Sequence, residues 1–331
     1  MKLISEKVRI NKYDNLRGLA ILLIILGHLP LILSDFNGLD HKIIYLIHLP
    51  ILFFVSGYFS KIGENEPIKS FKRLFIPYII FSIINKFFSM FILNNPAEGL
   101  FIYPRAALWF LISLFLMKMF LPIYNKFKYP ILTAIIIAIF AGLLNIDGDL
   151  LGITRAISYM PIFLIGFYYK NNNSANIPYF SNLKSKKSYL TILIIFIIVS
   201  CIIINFIPFN TLLLKYPYKD KFILNIFLRL LIISLGIIFA LLFNKIMTNK
   251  KCFLTTFGRN SMAIYVLHHY FTVEIKKIYV STPFIINNTI ISIIIVYGSA
   301  FVLAYILSRD FVTKYLNKFI DGIYNIFAKP D

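Results

Sequence analysis

Long apolar segments separated by short polar segments make up most of this chain. Most of these segments are as long as the 17–25 residues that an α-helix needs to cross a bilayer. The pattern predicts an all-α integral membrane protein in which residues 1–331 form a single polytopic domain. About ten transmembrane helices are predicted, over residues 14–33, 42–60, 73–93, 107–123, 130–145, 152–169, 188–207, 222–244, 260–279 and 285–307.

The charge of the chain has to be interpreted together with this pattern. The sequence is 59% hydrophobic and 15% charged, and its formal net charge is +20. A charge of this size by itself suggests a nucleic-acid partner, but here Lys and Arg lie in short loops between apolar segments. Loops on the cytoplasmic side of membrane proteins concentrate Lys and Arg. We therefore predict no nucleic-acid partner, cytoplasmic N and C termini, and a multi-pass location in the cell (plasma) membrane.

Two polar segments depart from the simple pattern. Residues 308–331 have apolar side chains at every fourth position, so we expect an amphipathic helix that lies on the cytoplasmic surface and contacts membrane lipid. The outer loop 208–221 contains three lysines and two tyrosines, unlike the other outer loops. This loop either receives an anionic or sugar-bearing partner or is an ordinary solvated loop.

The first predicted helix contains two basic residues on one face. Arg17 and His28 are eleven residues apart, which returns an α-helix to within roughly 20° of its starting direction over about 16 Å. An ionisable group in a membrane helix usually faces protein or a water-filled cavity, because lipid exposure costs about 2.5 kcal/mol or more. The pair therefore predicts a polar shaft, with Asp14 pairing to Arg17 or to a neighbouring cation. The alternative is that Arg17 extends to lipid phosphate and His28 is a hydrogen-bonded packing residue.

Other polar residues are expected near the same end of the shaft. His48 of the second helix and His28 lie roughly 9 Å and 7 Å below the same surface. Helices joined by a short connection usually pack side by side, so these histidines are expected to face each other. Arg155 lies near the outer end of the sixth helix. Trp109, the only tryptophan, begins the fourth helix and serves either as an interfacial anchor or as a stacking surface for a sugar.

The motif content of the chain narrows its chemistry. The sequence has no HExxH zinc motif, no paired cysteines, no GxSxG elbow and no P-loop, so no metal site is expected. Chemistry then falls to His and Arg together with the groups of the substrates, and this fits acyl transfer. An imidazole takes the proton of a hydroxyl that attacks a thioester. An arginine holds a phosphate of a carrier such as coenzyme A.

Five motifs in order carry a resemblance to a known family. They are YDNLRG at 13–18 followed by His28, HLPILFFVSGY at 48–58, FKRLFIP at 71–77, LWFL at 108–111 and GRNSMAIYVLH at 258–268. Together they resemble the membrane acyltransferase-3 family, in particular the branch of fucose 4-O-acetylases and intercellular-adhesin acyltransferases. The resemblance covers most of the chain and implies ten helices and transfer of acetyl, sometimes succinyl, from cytoplasmic acyl-CoA to a sugar hydroxyl. Many members have an Arg-x-x-Arg pair at the start of the third helix, where this chain has Lys69, Lys72 and Arg73.

These observations lead to a predicted function. We predict an integral-membrane O-acyltransferase that moves an acetyl or similar short acyl group to a hydroxyl of a cell-envelope or exported polysaccharide sugar. Acyl-CoA is the expected co-substrate, the acceptor is a glycan or lipid-linked glycan, and no bound cofactor is expected. The predicted roles are catalysis for His28, Arg17 and His48, donor binding for Arg17, Lys72 and Arg73, and acceptor binding for Arg155, Trp109 and His268.

Two other classes of function remain open at this point. A transporter or flippase for a glycan or a lipid-linked glycan precursor would also place buried Arg and His along its path. The chain lacks the paired interrupted helices in matching halves that many transporters have. A structural partner of other envelope enzymes would explain the ten helices but not the aligned Arg17 and His28.

Overall fold

Helices form all of the regular structure that the computed structural model describes, which covers residues 9–29, 38–94, 101–171, 185–218, 221–282, 284 and 288–327. The main helices are α1 (Asn11–His28), α2 (Leu39–Phe59), α3 (Glu66–Phe91), α4 (Trp109–Tyr124), α5 (Pro130–Phe140), α6 (Ile153–Asn171), α7 (Lys186–Asn205), α8 (Phe222–Ile246), α9 (Phe253–Arg259), α10 (Ser261–Val280), α11 (Thr289–Leu307) and α12 (Asp310–Phe327).

Seven helices in the described part of the chain are long and apolar enough to cross a membrane. They are α2, α3, α4, α6, α7, α8 and α11, and α5 is a shorter apolar helix. The prediction of an all-α, multi-pass membrane protein is therefore confirmed. The other two predicted spans, α1 and α10, are helical but contain more charged residues.

Two departures from the predicted helices concern the third helix and the segment before the ninth predicted span. The third helix begins at Glu66 and not at residue 73, and it continues through a π-helical segment at Phe71–Phe75. Pro77 has no N–H group for the α-helical bond to residue 73, and the wider π turn just before it accommodates the proline within a continuous helix. The short helix α9 was not predicted and lies between the eighth and ninth predicted spans.

The amphipathic segment after the last span forms α12. Leu316 and Ile320 of α12 pack into the protein, whereas Phe311, Tyr315 and Phe319 are exposed. An apolar row that is exposed on a helix at the end of a membrane bundle is typical of a helix that lies at the lipid interface. The predicted residues 328–331 of this tail lie outside the described residues.

Two helix crossings are formed through reciprocal glycines. A β-carbon at Gly18 of α1 would overlap the carbonyl oxygen of Leu254, and one at Gly258 of α9 would overlap the carbonyl oxygen of Asp14. Small residues let helix backbones approach closely, which is how helices associate in lipid where no hydrophobic force draws them together. The crossing of α1 with α9 therefore depends on the absence of a side chain on both helices.

The same device joins α2 to α6. A β-carbon at Gly57 would overlap the carbonyl oxygen of Phe163, and one at Gly166 would overlap that of Phe54. The helices α2 and α6 are mostly buried within the protein, whereas α7 and α11 are mostly at its periphery. The central group of α1, α2 and α6 holds the polar residues described below.

The reciprocal contact of α1 with α9 can be tested by substitution. We expect Gly258→Ala to lower the free energy of unfolding by about 1–3 kcal/mol, because the added methyl group has to displace the backbone of α1. The matched control is Gly298→Ala in α11, where a β-carbon meets nothing within 4 Å. Thermal unfolding in detergent measures both variants, and equal midpoints for the two would contradict this account of the crossing.

Candidate active site

A basic cavity of about 830 Å³ lies between α1, α2, α3, α4, α10 and α12. Its lining contains five cationic side chains, those of Arg17, Lys69, Lys72, Arg73 and Lys118. The two carboxylates of the lining are already engaged: Glu66 Oε1 lies 3.0 Å from Lys69 Nζ, and Asp321 Oδ1 lies 3.3 Å from Lys72 Nζ. The basic cavity therefore has a surplus of positive charge, which suits a polyanionic ligand.

Arg17 makes no salt bridge among the described residues. Asp14 bonds instead to Arg9, with distances of 2.6 and 3.0 Å, and lies 3.6 Å from Arg259 Nε. The hydrogen bond from Arg9 to Asp14 raises the pKa of the Arg9 guanidinium. The Arg17 guanidinium lies 5.6 Å from the centre of the Phe59 ring. Asp14 thus pairs with neighbouring cations, and Arg17 remains directed to the basic cavity.

A second, smaller cavity of about 240 Å³ contains most of the other predicted site residues. We call it the histidine cavity, because three histidines line it. The lining includes His28, His41, Tyr45, His48, Trp109, Arg155 and Tyr265. The structure thus brings His28 and His48 together, as the depth argument expects, and adds Trp109 and Arg155 from α4 and α6.

Hydrogen bonds define the proton positions of two histidines beside this cavity. His48 Nδ1 lies 2.6 Å from the carbonyl oxygen of Ile44. A carbonyl oxygen can only accept, so Nδ1 carries the proton and donates the hydrogen bond. His268 Nδ1 donates in the same way to Tyr265, at 2.8 Å, and to Ile264. In their neutral forms both rings then have an acceptor nitrogen at Nε2.

His268 lies behind His28 rather than on the cavity wall. Its ring is fully buried and its centre is 5.2 Å from that of His28. Its Nε2 atom has no hydrogen-bond partner among the described residues. A buried acceptor without a partner is costly, and here it lies beside the one histidine of the cavity that comes from α1. His268 therefore contacts His28. It was predicted to bind the acceptor sugar, but it is not among the residues that line the histidine cavity.

Arg155 is held in place by two neighbours, Trp109 and Asp149. Its guanidinium lies 4.2 Å from the centre of the Trp109 ring, and its Nη2 atom donates to Asp149 Oδ1 at 3.0 Å. Asp149 Oδ2 also accepts a 2.5 Å hydrogen bond from Lys215. Both cations are buried, so the shared carboxylate stabilises two charges that would be costly alone. Arg155 Nε is buried without a partner among the described residues and is a donor available to a ligand.

The predicted outer loop 208–221 folds against this arrangement. Lys215 is buried, and Arg229 of α8 donates to the carbonyl oxygens of Leu214 and Tyr216, at 3.3 Å each. Arg229 also donates to Ala138 at 3.0 Å, so it joins α8 to α5 and to the loop. The described part of the loop is therefore packed into the protein at Leu212, Leu214 and Lys215 and exposed at Tyr216, and its buried lysine supports the Asp149 carboxylate.

Some residues of the two cavities were not found from the sequence. Lys118 lies within the apolar α4, the same signal that singled out Arg17, and could have been found in this way. Asp149 lies outside both linings but bonds to Arg155 of the histidine cavity, and its local sequence gave no sign of this role because its partners come from α6 and from residue 215, far along the chain. Tyr45 is an uncharged member of an apolar helix, and nothing in its local sequence separates it from packing residues. Tyr265 lies within the family motif at 258–268, but the motif gave no separate role for this tyrosine.

The fold and the two cavities together define a class of protein. This is a polytopic helical membrane protein in which a basic cavity and a histidine cavity share helix α1. The family model described as an acyltransferase domain, of the acyltransferase-3 type, matches residues 10–309, and the chain belongs to this family. No curated protein and no solved structure matches the chain significantly.

Family membership supports a membrane acyltransferase, as the sequence motifs suggested. The matched range includes both cavities except for α12, which begins at Asp310 and contributes Asn317, Ile320 and Asp321 to the basic cavity. The branch of the family, the donor and the acceptor are outside what this match establishes.

The shared carboxylate of Asp149 leads to a prediction. Asp149→Asn leaves Arg155 and Lys215 buried beside a neutral amide, and we expect the free energy of unfolding to fall by about 1–3 kcal/mol. The control is Glu274→Gln, which removes an exposed salt bridge to Lys277 whose loss costs about 1 kcal/mol or less. Denaturation in detergent measures both variants. A loss no greater for Asp149→Asn than for Glu274→Gln would show that the carboxylate is not needed to hold the two cations.

Proposed function

We propose that this protein is an O-acyltransferase that moves an acetyl or similar short acyl group from acyl-CoA to a hydroxyl of a cell-envelope or exported polysaccharide sugar. The observation that carries the proposal is the position of α1. This helix contributes Arg17 to the basic cavity and His28 to the histidine cavity. One helix thus connects a site suited to an anionic carrier with a site suited to proton transfer.

The basic cavity is the proposed binding site of the donor. Coenzyme A carries several phosphate groups, and guanidinium and ammonium groups bind phosphates. Arg17, Arg73 and Lys118 have no salt bridge among the described residues and are therefore the first candidates to meet these phosphates. Lys72 joins them once its contact with Asp321 is exchanged for a phosphate. Donor binding is also the role that the sequence analysis predicts for Arg17, Lys72 and Arg73.

The distance between the two cavities suits a donor with a long flexible arm. Arg17 and His28 are eleven residue steps apart on one α-helix, which corresponds to about 16 Å along the axis. This is comparable to the reach of the pantetheine arm of coenzyme A. The nucleotide can therefore remain in the basic cavity while the thioester lies near His28, so that the acyl group reaches the far cavity without release of the carrier.

His28 is the proposed general base. Its imidazole takes the proton of the acceptor hydroxyl while the hydroxyl oxygen attacks the thioester carbonyl. The carbon–sulfur bond then breaks, and the thiolate of coenzyme A takes the proton from the imidazolium. The products are an O-acyl sugar and free coenzyme A, so atoms and protons balance. His268, whose ring lies 5.2 Å from that of His28, is placed to orient the base.

The remaining groups of the histidine cavity are the proposed acceptor site. Arg155 presents Nε–H to a sugar oxygen, and His48 presents Nε2 to a sugar hydroxyl. Trp109 lies beneath the Arg155 guanidinium, so on that face it supports Arg155 and does not stack on a sugar. This cavity of about 240 Å³ holds about one sugar ring, which suits a single residue of a longer glycan.

The orientation in the membrane follows from the donor. Acyl-CoA is cytoplasmic, so the basic cavity opens to the cytoplasm and the histidine cavity opens to the outside of the plasma membrane. This arrangement requires that α1, α5 and α10 cross the membrane together with the seven longer apolar helices, ten crossings in all. The N and C termini then both lie in the cytoplasm, where α12 rests on the inner surface.

The proposal predicts that His28→Ala abolishes transfer. Membranes containing the protein are incubated with acetyl-labelled acetyl-CoA and a total envelope-glycan extract, and base-labile label on glycan is measured. We expect a loss of about 100-fold or more relative to the wild type, because a general base contributes about this factor. The control is His269→Ala, which removes a neighbouring imidazole that lines neither cavity and should retain transfer with normal membrane insertion.

Each outcome has a clear meaning. Label with the wild type and with His269→Ala but not with His28→Ala supports O-acyl transfer with His28 at the chemistry. Equal label with all three proteins removes His28 from this role. No label with any of them, in membranes where the protein is inserted, favours the alternative of a glycan transporter or flippase, which moves its substrate without consuming acyl-CoA.

The donor site leads to a separate prediction. We expect Arg73→Gln to raise the KM for acetyl-CoA by about tenfold with little change in kcat, since one charge-assisted hydrogen bond is worth about 1.5 kcal/mol. Acetyl-pantetheine, which lacks the phosphates, should be used equally poorly by the variant and the wild type. The control is Lys61→Gln, an exposed lysine outside the basic cavity. A matching rise of KM for both donors would mean that Arg73 does not contact a phosphate.

A further inference from the structure

Two aromatic residues separate the basic cavity from the histidine cavity. Phe110 of α4 and Tyr265 of α10 line both cavities, and they are the only described residues common to the two linings. Their ring centres are 5.5 Å apart and the rings are tilted by 53°. Both residues are buried, with 8% and 6% of their surface exposed. The pair therefore lies where the two cavities approach each other most closely.

Each ring is held in place by a neighbour. The hydroxyl of Tyr265 donates to the carbonyl oxygen of Ala107, a residue of the histidine cavity, so α10 is joined to the turn that precedes α4. The Phe110 ring lies 4.8 Å from that of Phe53 in α2 and 6.3 Å from that of Trp109. Aromatic pairs at these distances attract each other beyond the effect of their burial. The closed arrangement is thus stabilised from α2, α4 and α10 together.

The residues on either side of Phe110 and Tyr265 are polar, whereas the two rings between them are apolar. The basic cavity contains Arg17 and the lysines, and the histidine cavity contains the imidazoles and Arg155, so polar groups line both sides of the pair. Between these polar linings Phe110 and Tyr265 contribute apolar aromatic rings, and the tyrosine hydroxyl is already bonded to the carbonyl oxygen of Ala107. An apolar constriction of this kind prevents continuous water between two aqueous regions.

We propose that Phe110 and Tyr265 form a closed aromatic partition that the acyl-bearing arm of the donor must displace in order to reach His28. This inference rests on the proposed function, because it takes a thioester on a pantetheine arm as the group that passes. In the absence of donor the partition keeps water of the two membrane faces apart. When donor is bound, the arm replaces the contact between the two rings.

The partition itself can be tested without any measurement of activity. Cys201 and Cys252 are first replaced by serine, and Gly27→Cys then places a thiol in the histidine cavity. A membrane-impermeant thiol reagent is added to sealed vesicles from one face or the other. With the native rings we expect labelling only from the face on which the histidine cavity opens. With Phe110→Ala we expect labelling from both faces, at least about tenfold faster from the basic-cavity face than before.

A second, milder variant keeps the test valid if Phe110→Ala does not fold. Tyr265→Phe retains the ring and removes only the hydrogen bond to Ala107, so we expect intermediate labelling from the basic-cavity face. Labelling from both faces with the native rings, or from a single face in both variants when they are inserted and monodisperse, would overturn the partition. These results do not depend on acyl transfer, so they remain informative if the proposed function fails.

The passage of the arm is tested by enlarging one ring. Phe110→Trp should lower kcat for acetyl transfer by about tenfold, which corresponds to about 1.4 kcal/mol in activation free energy. The KM for acetyl-CoA should be unchanged. The control on the same helix is Phe115→Trp, whose ring packs 5.2 Å from Phe75 and lines neither cavity. We expect the control to stay within about twofold of the wild type. An equal loss for both variants, or a rise of KM in place of the fall in kcat, would overturn this part of the proposal.

Discussion

The close approach of helix backbones at paired glycines is the constraint on which the rest of the structure depends. Gly18 with Gly258 joins α1 to α9, and Gly57 with Gly166 joins α2 to α6. In lipid, such contacts replace the hydrophobic force that packs helices in water. They set the positions of α1 and α2, and these two helices supply Arg17 and all three histidines of the histidine cavity. Arg17 and the three histidines can lie this close to their neighbours because the helices that carry them cross at short backbone distances.

The electrostatics of the two cavities differ in a way that suits two different ligands. In the basic cavity several cations have no carboxylate partner, and the contact of Asp321 with Lys72 is the kind that a phosphate replaces. In the histidine cavity Arg155 shares the carboxylate of Asp149 with Lys215 and is stacked on Trp109, so its charge is partly compensated and its buried Nε offers one directed hydrogen bond. A carrier with phosphates suits the first, and a neutral sugar with hydroxyl groups suits the second.

Much of this organisation was accessible from the sequence because it is local. The 3.6-residue period alone put Arg17 and His28 on one face of α1, and short connections between neighbouring helices brought His48 close to His28. The family motifs are local as well, and their match over residues 10–309 agrees with the family that they suggested. Helix ends were less accurate where a π turn admitted Pro77 into a continuous helix, since that depends on backbone geometry and not on residue type.

The sequence by itself determined the class of the protein, its helical membrane architecture and the aligned pair on α1, because hydropathy and helical period are properties of neighbouring residues. The tertiary structure alone decided which distant residues meet. It paired Asp14 with Arg9 rather than Arg17, gave Arg155 and Lys215 one carboxylate, and placed Tyr265 across from the start of α4. Such contacts join helices far apart in the chain, and their partners are selected by packing and burial, for which no local pattern of residues exists.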